Sequence, residues 1–177
     1  MIIPVITLWR PWCFMIEKEA EEPGLWKSIE TRLHEKLACL IHKTVGIHVG
    51  KQWDPNVIEA SKKYVGSISK LDTIFEMIKD KRIGQIICTA NVDATGWLCG
   101  DDSKSAMINC MWSARYGLFL KSITKIETPK FSGSQGIWYY DTAKQTKVNV
   151  KEFREQEREV EQINLDTEMF HTQTGRI

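Results

Sequence analysis

Stretches of β-branched and aromatic residues recur along the chain and predict the strands of one sheet. The first is IIPVITLW, at residues 2–9. GIHVGKQW, GQIICTANVDATGW and GLFLKSITKIE follow, and each opens with a glycine before apolar and polar positions alternate. Alternation with a period of two is typical of strands that bury one face. The pattern therefore predicts a curled sheet with strands that begin near residues 2, 46, 84 and 117.

Apolar residues spaced three and four apart predict helices around these strands. Pro11 fits the first turn of a helix that includes Met15. The segment LACLI, within residues 33–43, is compatible with either a strand or a buried helix. The charged tail NVKEFREQEREVEQI is expected to expose most of a helical surface. A further helix is expected to open near Asp54-Pro55 and to run through 58–65, and others are expected at 69–83 and 103–112 and from residue 149.

Composition favours a single globular domain with an extension. The chain has 177 residues, 42% of them hydrophobic, and a formal net charge of +1. Any nucleic-acid contact must therefore come from a local patch. Its five cysteines are widely spaced without a C-x-x-C pair, which argues against a disulfide framework. No segment has the length of a membrane-spanning helix, and the N-terminus lacks the basic region of a signal peptide. The expected setting is the reducing cytoplasm, without a membrane partner.

The segment KSIETR carries the main candidate chemistry in Lys27, Glu30 and Arg32. Strand alternation puts Glu30 and Arg32 on one face. A guanidinium offers a planar fork of donors to a phosphate or a base edge, and a carboxylate accepts from an exocyclic amine. Alternation puts Lys27 on the opposite face, so it joins them only if the chain turns or bulges at Ser28. An exposed ion pair of little energetic value is the alternative interpretation.

Six further residues are candidates for ligand contacts because they combine stacking surfaces, charge or loop donors. They are Trp9, Arg10, His48, Lys51, Ser134 and Gln135. A tryptophan or arginine could stack a base or hold a phosphate, and a loop with two glycines could present backbone donors. Each also has a structural interpretation, as a core aromatic, a satisfied histidine or a plain turn. By parity Lys51 reaches the cleft only if the chain leaves the strand at Gly50.

A metal site is not expected, although histidine and cysteine cluster in this region. His34, Cys39, His42 and His48 have the spacing H-x4-C-x2-H-x5-H. This spacing matches no familiar zinc framework, and the intervening LACLI is too apolar for a metal loop. The sequence therefore predicts neither a metal nor a cofactor.

Several of these segments, in this order, resemble the ASCH domain family of the PUA-like superfamily. They are ITLWRPW, KSIETR, GIHVGKQW, GQIICTANV and GLFLKSITKIETPKFSGSQGIW. The resemblance implies an α+β fold, a PUA-like partly open β-barrel with flanking helices around a central cleft, over residues 1–140. Residues 141–177 would then be a C-terminal extension, partly helical. LHEKLACLIHK is an insertion relative to the family.

The resemblance also implies function. Family members contact nucleic acid, usually RNA, and some hydrolyse acetylcytidine or cleave RNA. The first hypothesis is a cleft that binds single-stranded nucleic acid, a nucleotide or a modified nucleoside. The second is a small hydrolase acting on acylated nucleosides or RNA, with Lys27 and Glu30 as its catalytic residues. Glu30 stands where the acetylcytidine amidohydrolases have threonine, which favours binding. A third is an interaction adaptor that uses the charged tail.

Overall fold

Seven strands form one mixed sheet in the part of the chain that the computed structural model describes, residues 1–55, 57–64, 68–108, 110 and 114–149. They are β1 (Ile2–Arg10), β2 (Ile29–Arg32), β3 (Thr44–Trp53), β4 (Ile86–Trp97), β5 (Tyr116–Lys125), β6 (Ile137–Asp141) and β7 (Thr146–Val148). Their order is β2-β5-β4-β3-β1-β6-β7, and β1 pairs with β3 in parallel while the other pairs are antiparallel. The edges β2 and β7 do not pair with each other, so the sheet stays open.

Helices lie between the strands, as the apolar spacing predicts. They are α1 (Trp12–Glu19), α2 (Val57–Tyr64), α3 (Ile68–Lys79) and α4 (Ser103–Ala106). The stretch that left strand and helix open forms a 3-10 helix at Glu35–Leu40. The sheet with its flanking helices confirms the predicted α+β, partly open architecture. The expected tail helix lies outside the described residues, as does part of the helix expected at 103–112.

The centre of the sheet buries both of its faces. Ile6 and Leu8 of β1 and Ile47 and Val49 of β3 belong to the main hydrophobic core. Burial of both faces is typical of parallel strand pairs. The opposite face of β1 and β3 packs against a smaller core that includes Trp138 of β6. The central strands are therefore packed on both faces, and this packing positions the residues at their C-terminal ends.

The sheet continues beyond residue 140. β6 ends at Asp141, and β7 pairs with it antiparallel, with Lys147 opposite Tyr140. The domain boundary expected at residue 140 stays a prediction. Within the described residues, no helix is long and apolar enough to cross a membrane.

Candidate functional site

A cleft of about 1010 Å³ opens between β2, the C-terminal ends of β1 and β3, and the loop that precedes β6. Eight of the nine site residues expected from the sequence line it. They are Trp9, Lys27, Glu30, Arg32, His48, Lys51, Ser134 and Gln135. These residues come from separate segments, so the fold brings together residues that are more than a hundred positions apart in the sequence, such as Trp9 and Gln135.

Arg10 is the expected site residue that does not line this cleft. Its Nη1 donates to the carbonyl oxygen of Ile78 at 2.7 Å, and its Nη2 donates to that of Lys51 at 2.8 Å. These bonds join the C-terminal part of α3 to β3. These two bonds give Arg10 a structural role, and a ligand contact from Arg10 stays a prediction.

Lys27, Glu30 and Arg32 form a charged triad in the wall of the cleft. Glu30 lies between the two cations: its Oε2 is 3.7 Å from the Lys27 ammonium, and its Oε1 accepts from Nη1 of Arg32. Lys27 also donates to the carbonyl oxygen of Ala106 at 2.8 Å, and Arg32 Nη1 donates to that of Thr31 at 3.0 Å. The side chains of Lys27 and Glu30 are 3% and 5% exposed, and that of Arg32 is 35% exposed. Arg32 is thus the member that faces solvent.

The position of Lys27 follows from where β2 begins. The strand starts at Ile29, so strand alternation does not apply to Lys27. Ser28 is still tied down, because its amide donates to the carbonyl oxygen of Ser105 at 3.0 Å and its carbonyl accepts from Leu120 at 2.9 Å. The condition for Lys27 to join Glu30 is therefore met by an irregular entry to the strand.

Burial lowers the pKa of the Lys27 ammonium from its ordinary value, and the Glu30 carboxylate partly opposes this shift. The ammonium lies 5.4 Å from the centre of the Trp12 ring, whose indole N–H donates to Asp54 Oδ2 at 3.0 Å. A cation over an indole face gains electrostatic stabilisation. Lys27 is therefore held among a carboxylate, a carbonyl and an aromatic ring.

A bulge in β3 carries Lys51 to the cleft. Leu8 pairs with Val49, but the next registered pair is Arg10 with Trp53, so β3 has two more residues than β1 over this interval. Such bulges bend a strand and redirect its side chains. A Cβ on Gly50 would lie 2.8 Å from the carbonyl oxygen of Leu8, closer than real contacts allow. Glycine at this position permits the close approach of the two backbones.

His48 supports the loop at 132–136 from below. A Cβ on Gly133 would lie 2.5 Å from His48 Cε1, so the loop backbone rests directly on the imidazole. His48 Nε2 is 3.3 Å from the carbonyl oxygen of Phe131, and its ring packs edge-on against Trp138 at 5.3 Å. Nδ1 is buried without a hydrogen-bond partner among the described residues. Burial lowers the pKa of His48, and Lys147 adds to the effect.

Arg115 and Lys130 also line the cleft, and the sequence reasoning did not assign them as site residues. Arg115 directly precedes β5, whose first residue pairs with Arg32. Lys130 directly precedes the segment FSGSQG. Both residues lie next to segments that the sequence predicts for the site, and this adjacency is the signal that could have identified them.

The lining of the cleft has a surplus of positive charge. Five of its side chains are Lys or Arg and two are Asp or Glu, whereas the whole chain has a net charge of only +1. Trp9 contributes an aromatic surface that is 50% exposed. The cleft therefore combines a local cationic field with a surface suited to stacking.

The four residues His34, Cys39, His42 and His48 do not assemble into a metal site. Over the described ranges, no three His, Cys, Asp or Glu side chains are grouped so that they could hold a metal ion. Cys39 is exposed on the 3-10 helix, while His48 is buried in β3.

The fold and the cleft together define an α+β domain with an open mixed sheet and a cationic pocket at one edge. The sequence matches no protein-family model and no curated protein. Among solved structures the chain is similar to "Crystal structure of ASCH from Zymomonas mobilis", with 11% identity, a TM-score of 0.44, and coverage of 85% of this chain and 90% of that chain. The roles of individual residues are argued from the cleft itself.

Proposed function

We propose that the cleft binds a single-stranded nucleic acid or nucleotide, with Arg32 as the central contact. The observation that carries this proposal is the pairing of a one-third-exposed Arg32 with a buried Glu30. A guanidinium fixed by a carboxylate loses less rotamer freedom when it binds a phosphate or a base edge.

The remaining donors of Arg32 support this role. Among the described residues, both hydrogen-bond acceptors of Arg32 are contacted by Nη1, which leaves Nη2 and Nε for a ligand. A guanidinium can donate two parallel bonds to a phosphate or to a guanine edge. Nη2 and Nε of Arg32, the partly exposed member of the charged triad, are therefore suited to a bidentate contact with a ligand.

The rest of the lining supports the same class of ligand. Lys51, Lys130 and Arg115 add positive charge around the cleft, and Trp9 adds a stacking surface. The volume lies at the upper end of the range of roughly 300–1,000 Å³ for small-molecule sites, so a nucleotide and part of its neighbour fit. The positive surplus is small, so we expect few neutralised phosphates and a shallow dependence of affinity on salt.

A hydrolase is the second candidate, because Lys27 is a buried amine with a lowered pKa beside a carboxylate. Its geometry favours binding instead. The Glu30 carboxylate contacts both Lys27 and Arg32, and the Lys27 ammonium donates to the carbonyl of Ala106. A general base must be within reach of the proton it removes, and both oxygens of Glu30 are already engaged by these two cations.

The test is fluorescence anisotropy with a labelled single-stranded hexanucleotide, as RNA and as DNA of the same sequence. Arg32→Ala should weaken binding by about 1–3 kcal/mol, the range for a lost directed contact to a base or charged group. Lys36→Ala is the matched control, because Lys36 is exposed on the 3-10 helix outside the cleft. Equal affinities for the two variants would refute the proposal.

Turnover separates the two candidates. The purified protein should return acetylated cytidine and short RNA unchanged after long incubation. Loss of a catalytic group lowers turnover by orders of magnitude while substrate binding largely survives. Measurable hydrolysis that disappears in Lys27→Ala or Glu30→Ala would replace the binding proposal with the hydrolase.

A further inference from the structure

Arg32, Tyr116 and Trp97 form one transverse row across three neighbouring strands. Arg32 of β2 pairs with Tyr116 of β5, and Tyr116 pairs with Trp97 of β4. Side chains of directly paired residues project from the same face of a sheet. Trp97 therefore stands on the face to which Arg32 points, but beyond the residues that line the cleft.

Trp97 is exposed and yet held in place. The residue is 57% exposed, and its ring packs edge-on against Tyr116, with 5.4 Å between ring centres. Tyr116 is fixed in turn, because its hydroxyl donates to Thr95 Oγ1 at 2.9 Å. An exposed tryptophan with restricted motion is a suitable platform for a base, because little side-chain entropy is lost on stacking.

We propose that Trp97 stacks a base of the same single strand after that strand has left the cleft past Arg32. This inference rests on the proposed function of the cleft and adds a second contact for the same ligand, to a base that lies outside the cleft. Charge complementarity points to this occupant, since the cation Arg32 lies between the cleft and the aromatic platform and would face the connecting phosphates.

The spacing fixes the length of ligand required. Strands are about 4.8 Å apart, so Trp97 lies roughly 10 Å from Arg32 across the row. At roughly 3.4 Å per stacked nucleotide, this distance corresponds to about three base steps. A mononucleotide in the cleft cannot reach Trp97, whereas a hexanucleotide can.

The experiment compares adenosine monophosphate with an adenosine hexanucleotide in the full chain. Trp97→Ala should weaken binding of the hexanucleotide by roughly 5- to 150-fold, the range for one lost base–aromatic stack, and leave the mononucleotide unaffected. Trp97→Phe should recover much of the loss. Phe75→Ala is the control, because Phe75 is an exposed aromatic on α3 away from the cleft.

The outcomes distinguish this inference from the proposed function. If Arg32→Ala weakens both ligands while Trp97→Ala changes neither, the cleft binds nucleotides and the platform is refuted. If Arg32→Ala changes neither ligand, the function of the cleft itself is refuted. Sedimentation of the free protein covers other occupants, since a dimer that Trp97→Ala converts to monomer would assign the surface to a second copy and overturn the inference.

Discussion

Replacing Glu30 by glutamine tests whether a buried charge pair organises the cleft. The substitution keeps the shape of the side chain but removes the negative charge between Lys27 and Arg32. Arg32 is one-third exposed, so water compensates much of its loss. Lys27 is buried, and its ammonium would lose its one negatively charged neighbour among the described residues while it keeps the carbonyl of Ala106 and the ring of Trp12. The destabilisation should therefore come mainly from Lys27.

The magnitude follows from the separation of 3.7 Å between the Lys27 ammonium and Glu30 Oε2. At an effective dielectric constant of about 20, Coulomb's law gives about 4.5 kcal/mol for two unit charges at this distance. Loss of one partner of a buried pair costs about 3–5 kcal/mol. Glutamine still offers Lys27 an oxygen dipole, so we expect Glu30→Gln to lower the free energy of unfolding by about 3 kcal/mol at neutral pH.

Urea denaturation measures this change as a shift of the midpoint at constant slope. Glu76→Gln is the matched control, because the Lys79–Glu76 pair has the same spacing in sequence but is 70% and 73% exposed. Exposed pairs contribute little, so this control should leave stability unchanged within error. Equal midpoints for Glu30→Gln and Glu76→Gln would refute the reasoning.

The pH dependence of the Glu30→Gln variant provides a second check. Without Glu30 the pKa of Lys27 in the folded state falls further below its unfolded value of about 10.4. The unfolded chain then binds more protons between these two values, so the stability of the variant rises with pH in that window. The difference from wild type should become smaller as pH rises towards the unfolded value of Lys27, about 10.4. A constant difference would mean that Lys27 is not the group left unpaired.

Two further predictions concern the loop over His48. The pKa of buried His48 lies below its unfolded value of about 6.5, so the free energy of unfolding should fall as pH falls below that value. His48→Gln should flatten this part of the pH dependence measured by urea denaturation, whereas His34→Gln, at an exposed position, should not. An unchanged slope in His48→Gln would contradict the argument. Lys147 donates to Ser134 Oγ at 2.6 Å and to the carbonyl oxygen of Ser132 at 3.2 Å, so Lys147→Met should speed amide hydrogen exchange at 132–136. Lys144→Met is the control and should leave this exchange unchanged. Equal exchange rates in the two variants would show that Lys147 does not hold the loop.

Local patterns predicted the long strands because strand periodicity sets the direction of each side chain. Ile47 and Val49 point to one face of β3 and His48 to the other, as alternation predicts, although the sheet buries both faces here. The same parity put Glu30 and Arg32 together, and the two side chains do form an ion pair. Where a residue lies inside a regular strand, its neighbours in sequence determine which face it occupies.

Parity failed where the regular backbone ends. Lys27 precedes its strand, and the acceptor that fixes its ammonium is a carbonyl 79 residues away. Lys51 follows a bulge that depends on how closely Gly50 approaches Leu8. Arg10 finds its acceptors on the backbone of α3 and β3, which no local pattern reveals. Each outcome depends on contacts between segments distant in sequence.

A double substitution tests whether the buried pair of Lys27 and Glu30 serves binding rather than stability. Apolar residues often replace a buried ion pair without loss of stability, so stability alone does not require Lys27 and Glu30. The double variant Lys27→Met/Glu30→Gln should therefore recover most of the stability that Glu30→Gln loses. It should not recover ligand affinity, because Arg32 would still lack the carboxylate that fixes its guanidinium. If the pair served only packing, the double variant would recover both the free energy of unfolding and the ligand affinity.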